Sequence, residues 1–213
     1  MKHVYLLFFI SAFSFQLNAQ HAETIDLNGT WAFEQTTKAF PPDKFTRTIP
    51  VPGLIHLAEP KIEDYHVFFK RPEQAELKTT HSLYDIDYKP KYSWYKKEAM
   101  IPEKYRGQEV VLTLLKSQYV TQVIVNGHDF GTFMECYTPI QANITRAVNF
   151  GDKNEILIRV GDRTWLPSQA AGSTDKEKEH YLPGIWDDVF LSFSGKIRVN
   201  RMLLLPDSEN ESL

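Results

Sequence analysis

The chain is 213 residues long, with 42% hydrophobic and 24% charged residues and a formal net charge of −3. With no basic block, that balance argues against nucleic acid or an anionic membrane surface as a partner. Cys136 is the single cysteine; this excludes an internal disulfide and any cysteine-based zinc cluster, and predicts a small apolar filler within a strand.

Met1-Lys2-His3 is a short basic start, Val4 to Phe15 is almost wholly apolar, and Ala19 stands where a signal peptidase would cut. That is the layout of a secretory signal peptide over residues 1–19, which predicts export to the periplasm or the extracellular space. The apolar run is too short for a membrane anchor, since a helix needs about 18 or more apolar residues to span a bilayer. Removing the leader, which holds one Lys and no acid, takes the charge from −3 to −4. The remainder is long enough for one domain with a real core, or for two very small ones.

Beyond the leader no long segment keeps a helical period. Short alternating or β-branched runs follow one another, punctuated by Gly, Pro, Asn and Asp. Strands are predicted at Thr30 to Glu34, Arg47 to Val51, and Tyr92 to Ile101, the last stopped by Pro102. Glu109 to Lys116 and Tyr119 to Asn126 are the clearest. Asn126-Gly127 supplies a type I′ hairpin signal, because both central residues of that turn need positive φ. Phe130 to Cys136 is the returning strand. In Asn154 to Val160, the side chains of Ile156, Ile158 and Val160 fall on one face and those of Leu157 and Arg159 on the other. Val189, Leu191 and Phe193 repeat the device in Asp188 to Phe193, and Ile197 to Leu205 is the last predicted strand. Many short strands without intervening helices indicate an all-β sandwich or barrel, with Trp31, Trp94 and Trp186 supplying large apolar area to its core.

Two stretches break the ladder. Glu59 to Lys91 is long, polar and aromatic, and Thr164 to Leu182 has a small-residue centre followed by a charged run. Connections of this length inside a compact domain carry function or lack fixed structure. Residues 206–213 are a polar, turn-forming cluster that reads as a linker toward a further domain, so the sandwich is expected over residues 20–205.

Catalytic chemistry finds little support. Acid–base catalysis by a carboxyl pair needs two that face each other across a bond, and no pattern singles out two of the acids here. The histidines show neither H-E-x-x-H nor H-x-H spacing, Asp85-Ile86-Asp87 and Asp187-Asp188 make no EF-hand loop, and there is no G-x-S-x-G elbow or phosphate-binding glycine loop. No catalytic residue, metal or cofactor is therefore expected. Sugar binding needs less: aromatic faces for C–H groups, and Asn, Asp, Arg or His for hydroxyls. Tyr84, Tyr88 and Tyr92 offer these at the first long stretch, and Arg163, Trp165, His180 and Tyr181 around the second. Anchoring the loops, or forming a seam against another domain, is the simpler role open to the same residues.

A series of short motifs gives a family resemblance. Leu27-Asn28-Gly29-Thr30-Trp31-Ala32-Phe33, Ile49-Pro50-Val51-Pro52-Gly53 and Ser93-Trp94-Tyr95-Lys96-Lys97 come in order. They are followed by Val123-Ile124-Val125-Asn126-Gly127 with Gly131, by Asn143-Ile144-Thr145 with Asn154 to Val160, and by Gly184-Ile185-Trp186-Asp187-Asp188-Val189. The series resembles the N-terminal sugar-binding domain of glycoside hydrolase family 2, which includes β-galactosidases, β-glucuronidases and β-mannosidases. The resemblance implies a jelly-roll β-sandwich, galactose-binding-domain-like, followed in full-length relatives by an immunoglobulin-like domain and a (β/α)₈ barrel that carries the catalytic Glu pair. It implies a carbohydrate partner and a non-catalytic role for this portion of an exported hydrolase of O-glycosidic bonds. A free-standing carbohydrate-binding module, and the sandwich of an exported sialate O-acetylesterase, are the alternatives. Asp187 departs from the family pattern, which has Arg there, and Leu182-Pro183 replaces a polar pair.

Overall fold

The computed structural model describes residues 23–62, 91–161, 182–197 and 203. These form an all-β sandwich of thirteen strands in antiparallel sheets, with 3-10 turns and no α-helix among the described residues. The fold class expected from the sequence is the one observed.

The first sheet has four strands in the order β1 (Glu23–Asp26), β13 (Val189–Ser194), β6 (Glu109–Leu114), β10 (Ile140–Asn143). The second has six: β3 (Arg47–Val51), β2 (Gly29–Thr36), β5 (Tyr92–Ile101), β11 (Asp152–Val160), β8 (Thr121–Val125), β9 (His128–Phe133). A third, very small sheet joins β4 (Gly53–Leu54), β12 (Gly184–Ile185) and β7 (Ser117–Gln118).

Period-2 alternation puts the apolar residues between the sheets. From the six-stranded sheet come Trp31, Phe33, Ile49, Tyr95, Ile101, Val123, Ile156 and Ile158; from the four-stranded sheet come Leu112, Leu114, Leu191 and Phe193, and all belong to one buried cluster. Tyr105 closes part of its edge by stacking on Phe193, ring centroids 3.7 Å apart. Burial pushes the Tyr95 phenol well above its usual value, so the hydroxyl stays protonated inside the core.

The hairpin signal at Asn126-Gly127 is realised, with φ of 48° and 77°. Its Asn does more than turn the chain. The Asn126 side-chain amide donates to the Ala147 carbonyl and to Asn154 Oδ1, both at 2.7 Å, while its Oδ1 accepts from the Glu155 amide at 2.8 Å. Fully buried Asn154 in turn accepts from the Asn149 amide and donates to the carbonyls of Asn149 and Asp152. A buried polar side chain persists because every one of these groups is satisfied.

Several boundaries differ from the sequence reading. The predicted strand over Tyr119 to Asn126 begins only at Thr121, because Val120 has φ +49°, a conformation that strands and β-branched residues disfavour. Cys136 lies beyond the end of β9 and not within a strand; it is buried against Tyr119. Of the three tryptophans assigned to the core, Trp31 belongs to it. Trp94 is buried but outside that cluster, since it alternates with inward-facing Tyr95, and Trp186 is only partly buried at a rim. Most of the strand expected at Ile197 to Leu205 lies outside the described residues, and Ile197 itself is an exposed bend.

At the start of β3 the Glu34 carboxylate accepts from Arg47 at 2.6 Å and from the Thr46 amide at 3.1 Å. Burial alone would raise its pKa, but the bonds from Thr46 and Gln35 and the charge of Arg47 outweigh that and hold it below the usual carboxylate value. A folded-state pKa below the unfolded one adds stability that is present above the unfolded value and is lost as pH falls through the folded one. Part of the acid destabilisation below about pH 4.5 should therefore vanish in Glu34→Gln, read as a shallower fall of the urea midpoint with pH than in the wild type. Asn154→Ala should lower stability by about 2–4 kcal/mol at unchanged m-value, because it strands several buried polar groups; a loss under about 0.5 kcal/mol would show that water replaces the network.

Candidate functional site

Strands β5 and β11 run side by side through nine paired positions, from Asp152 opposite Ile101 to Val160 opposite Ser93. Tyr95, Ala99, Ile101, Ile156, Ile158 and Val160 turn toward the core between the sheets. On the opposite face Trp94 stands across from Arg159. The Arg159 guanidinium lies 4.7 Å from the Tyr92 ring centroid and 5.8 Å from that of Trp94, and it donates to the Ala39 carbonyl at 3.0 Å. Its Nε is buried without a hydrogen-bond partner, and burial pulls the guanidinium below its usual pKa against the opposing pull of Tyr92 and Asp129. The group remains a cation, partly desolvated between two aromatic faces, a setting in which cation–π attraction reaches about 2 kcal/mol. Its bond to Ala39 draws the 37–46 connection over this face of the sheet.

Just beyond the ladder, residues Ser117–Val120 act as a clamp. The Tyr119 amide donates to the Gly161 carbonyl at 3.0 Å, and the Gly161 amide donates to the Val120 carbonyl at 3.2 Å. The Gln118 side-chain amide donates to the Leu182 carbonyl at 2.5 Å, and Gly184 pairs with Gln118 on one side and Leu54 on the other. Gly161 and Leu182 flank residues 162–181, so one four-residue segment ties down both ends of that stretch. Only a glycine fits at 184: a Cβ there would stand 2.6 Å from the Gly53 carbonyl oxygen and 2.7 Å from Leu54 Cα. The backbone strain at Val120 sits at the centre of this clamp, and non-glycine residues with such φ cluster at functional sites. Tyr92, where the chain re-enters the sheet after residues 63–90, stands beside Ser93 and so next to the same corner.

A second group lies along the same connections. Trp186 has Lys116 over its ring at 4.9 Å and the Tyr137 ring edge-on at 5.9 Å. Lys116 also pairs with Asp187 at 2.9 Å and, chiefly through that bond, holds the Asp187 carboxyl below the usual range. The acid that departs from the motif pattern thus has its own cation. The neighbouring motif residues also have a physical role: Asn28 accepts from the Val189 amide at 2.9 Å and donates to Asp188 at 2.8 Å, joining the first motif to the last.

Of the seven residues predicted to contact sugar, Tyr84, Tyr88, Arg163, Trp165, His180 and Tyr181 lie outside the described residues. Tyr92 is described. It opens β5, is 9% exposed, and carries Arg159 on its ring, so it serves as an anchor and offers no open platform. Arg159, Trp94, Gln118 and Val120 were not among the candidate site residues read from the sequence. Arg159 left a signal, as a cation directly after the apolar run Ile156-Leu157-Ile158. Among the described residues, the carboxylates with a shifted pKa, Glu23, Glu34, Glu103 and Asp187, are all lowered by hydrogen bonds and neighbouring cations that prevail over burial. A glycosidase's general acid requires the opposite shift.

Arg159→Met should lower stability by about 1–3 kcal/mol, since it removes the cation between two rings and the bond to Ala39, and Arg159→Lys should restore only part of it because a compact ammonium cannot stack as a planar guanidinium does. Urea denaturation of the three proteins checks this; equal midpoints would contradict the anchoring role.

No family model matches the chain. A curated β-galactosidase of Thermoanaerobacter pseudethanolicus is 33% identical over 72 residues, which is 33% of this chain and 10% of that protein. Among solved structures, a putative β-galactosidase from Bacteroides fragilis superposes with a TM-score of 0.59 at 17% identity, covering 83% of this chain and 24% of that one. Bacteroides uniformis β-glucuronidase 2 gives 0.57 at 19% identity over 82% of this chain and 18% of the other. The Dictyoglomus thermophilum β-D-glucuronidase gives 0.53 at 21% identity over 82% and 28%. The chain thus spans less than a third of these structures and a tenth of the curated relative. It shares its fold with a part of these larger glycosidases, and the motif series resembling the sandwich of glycoside hydrolase family 2 lies on that shared fold.

Proposed function

We propose that this chain is the non-catalytic, carbohydrate-binding sandwich of an exported family 2-like glycoside hydrolase that acts on O-glycosidic bonds. The observation that carries the reading is the coverage: the fold accounts for 82% of this chain but only 18% of a β-glucuronidase. A domain of a larger enzyme has that relation to its relatives. In this reading an immunoglobulin-like domain and a (β/α)₈ barrel follow it in the parent protein, and the barrel supplies the two catalytic carboxyls.

The sandwich contributes rigidity. The clamp at Ser117–Val120 holds the ends of residues 162–181, and the ladder end at Tyr92 receives the chain after residues 63–90. Tyr84 and Tyr88 belong in sequence to the first stretch and Arg163, Trp165, His180 and Tyr181 to the second, and in this reading they meet a sugar at the mouth of the barrel. Binding groups work best when a rigid scaffold supports them. The lowered carboxylates among the described residues support the non-catalytic part of the reading, and residues 1–19 support export to the periplasm or beyond.

The test is hydrolysis of nitrophenyl β-galactoside, β-glucuronide, β-mannoside and β-glucoside by this chain, with glycan-array binding on the same preparation. The expected result is binding without turnover. Turnover abolished by a single Glu or Asp substitution would overturn the non-catalytic reading.

A further inference from the structure

We propose that the 37–46 connection carries a sugar subsite of its own, in which Phe40 stacks on one face of a neutral pyranose. The inference deepens the carbohydrate-binding reading above and rests on it. Phe40 is 76% exposed, yet it sits on a connection that is fastened at several points. Thr36 Oγ1 donates to the Lys38 carbonyl at 2.6 Å, Arg159 donates to the Ala39 carbonyl at 3.0 Å, and Thr46 donates from its amide to Glu34 at 3.1 Å. Phe45 is turned toward the sheet, with Lys96 over its ring at 5.8 Å. Pro41 and Pro42 stiffen the backbone further by fixing φ. A large aromatic ring held in water by a fastened, proline-stiffened segment loses little entropy when it binds.

The ring borders an open depression of about 700 Å³ that is also lined by Thr37, Lys38, Pro41, Pro42 and Asp43, a volume in the range of small-molecule sites. The side chains of Thr37, Lys38 and Asp43 make no hydrogen bond or ion pair among the described residues, so their side-chain polar atoms are open to a ligand. Their chemistry is complementary to that of a diol: Lys38 can only donate, Asp43 can only accept, and the Thr37 hydroxyl does both. A pyranose presents an apolar C–H face to the ring and alternating donors and acceptors at its rim. Lys38 and Asp43 cancel in charge and offer a neutral sugar both a donor and an acceptor, whereas the carboxylate of a uronic acid, drawn to Lys38, is repelled by Asp43.

The full chain, its Phe40→Ala variant and its Asp43→Asn variant should be titrated with lactose, cellobiose and methyl β-D-glucuronide, following backbone amide shifts. The expected result is that the neutral disaccharides move the amides of Thr37, Lys38, Phe40 and Asp43. Phe40→Ala should weaken this binding about tenfold at an unchanged urea midpoint, and Asp43→Asn should weaken it as well. Sugar binding that is equally strong in both variants would overturn this subsite and leave the broader carbohydrate reading intact. The glucuronide bound as well as the disaccharides would overturn the neutral-sugar assignment, and no binding of any sugar by the wild type would overturn subsite and carbohydrate reading together.

Discussion

The pairing of β5 with β11 is the constraint on which the rest of the molecule depends. It is the longest ladder of the fold, and its two faces do different work. One face gives Tyr95, Ala99, Ile101, Ile156, Ile158 and Val160 to the core between the sheets. The other holds Arg159 against Tyr92 and Trp94, and through Arg159 fastens the 37–46 connection. Because side chains alternate with a period of two, a slip of one residue would exchange these faces and bring Arg159 into the core. The Asn126–Asn154 network guards one end of β11 against such a slip, and the bonds of Gly161 to Tyr119 and Val120 guard the other.

Much of this organisation was legible in the sequence. The alternation of Ile156, Ile158 and Val160, and of Val189, Leu191 and Phe193, identifies buried faces that the structure has. Asn126-Gly127 identifies the hairpin, and the absence of helical periodicity identifies the class. What could not be read depends on contacts distant in sequence or on backbone conformation. The role of Asn28 rests on Val189 and Asp188, about 160 residues away. Strands β4, β7 and β12 are two residues each, too short to carry a pattern. Val120 has the composition of a strand residue and the φ of a turn, so propensity pointed the wrong way there. The sequence leaves Tyr92 open to sugar contact or to anchoring, because nothing local reveals that Arg159 covers its ring.

Among the described residues, the carboxylates with shifted titration are structural ones. Glu34, Asp187, Glu23 and Glu103 each have a cation, and their carboxyls are held ionised. The unsatisfied buried polar atoms, among them Trp94 Nε1, Arg159 Nε and Trp186 Nε1, include several around the ladder end and the adjoining rim. Groups left in this state mark where a structure gives up local stability, and such places coincide with functional regions more often than with inert ones.

The claim that one ladder and its clamp hold the ends of residues 162–181 is tested most directly by native-state amide hydrogen exchange on this chain. The amides that bond across β5 and β11 should exchange only through global unfolding, and those of Tyr119 and Gly161 should be protected to a comparable degree. Exchange of Tyr119 and Gly161 at the rate of free peptide, while the ladder stays protected, would contradict the clamp and with it the scaffold role assigned to this sandwich.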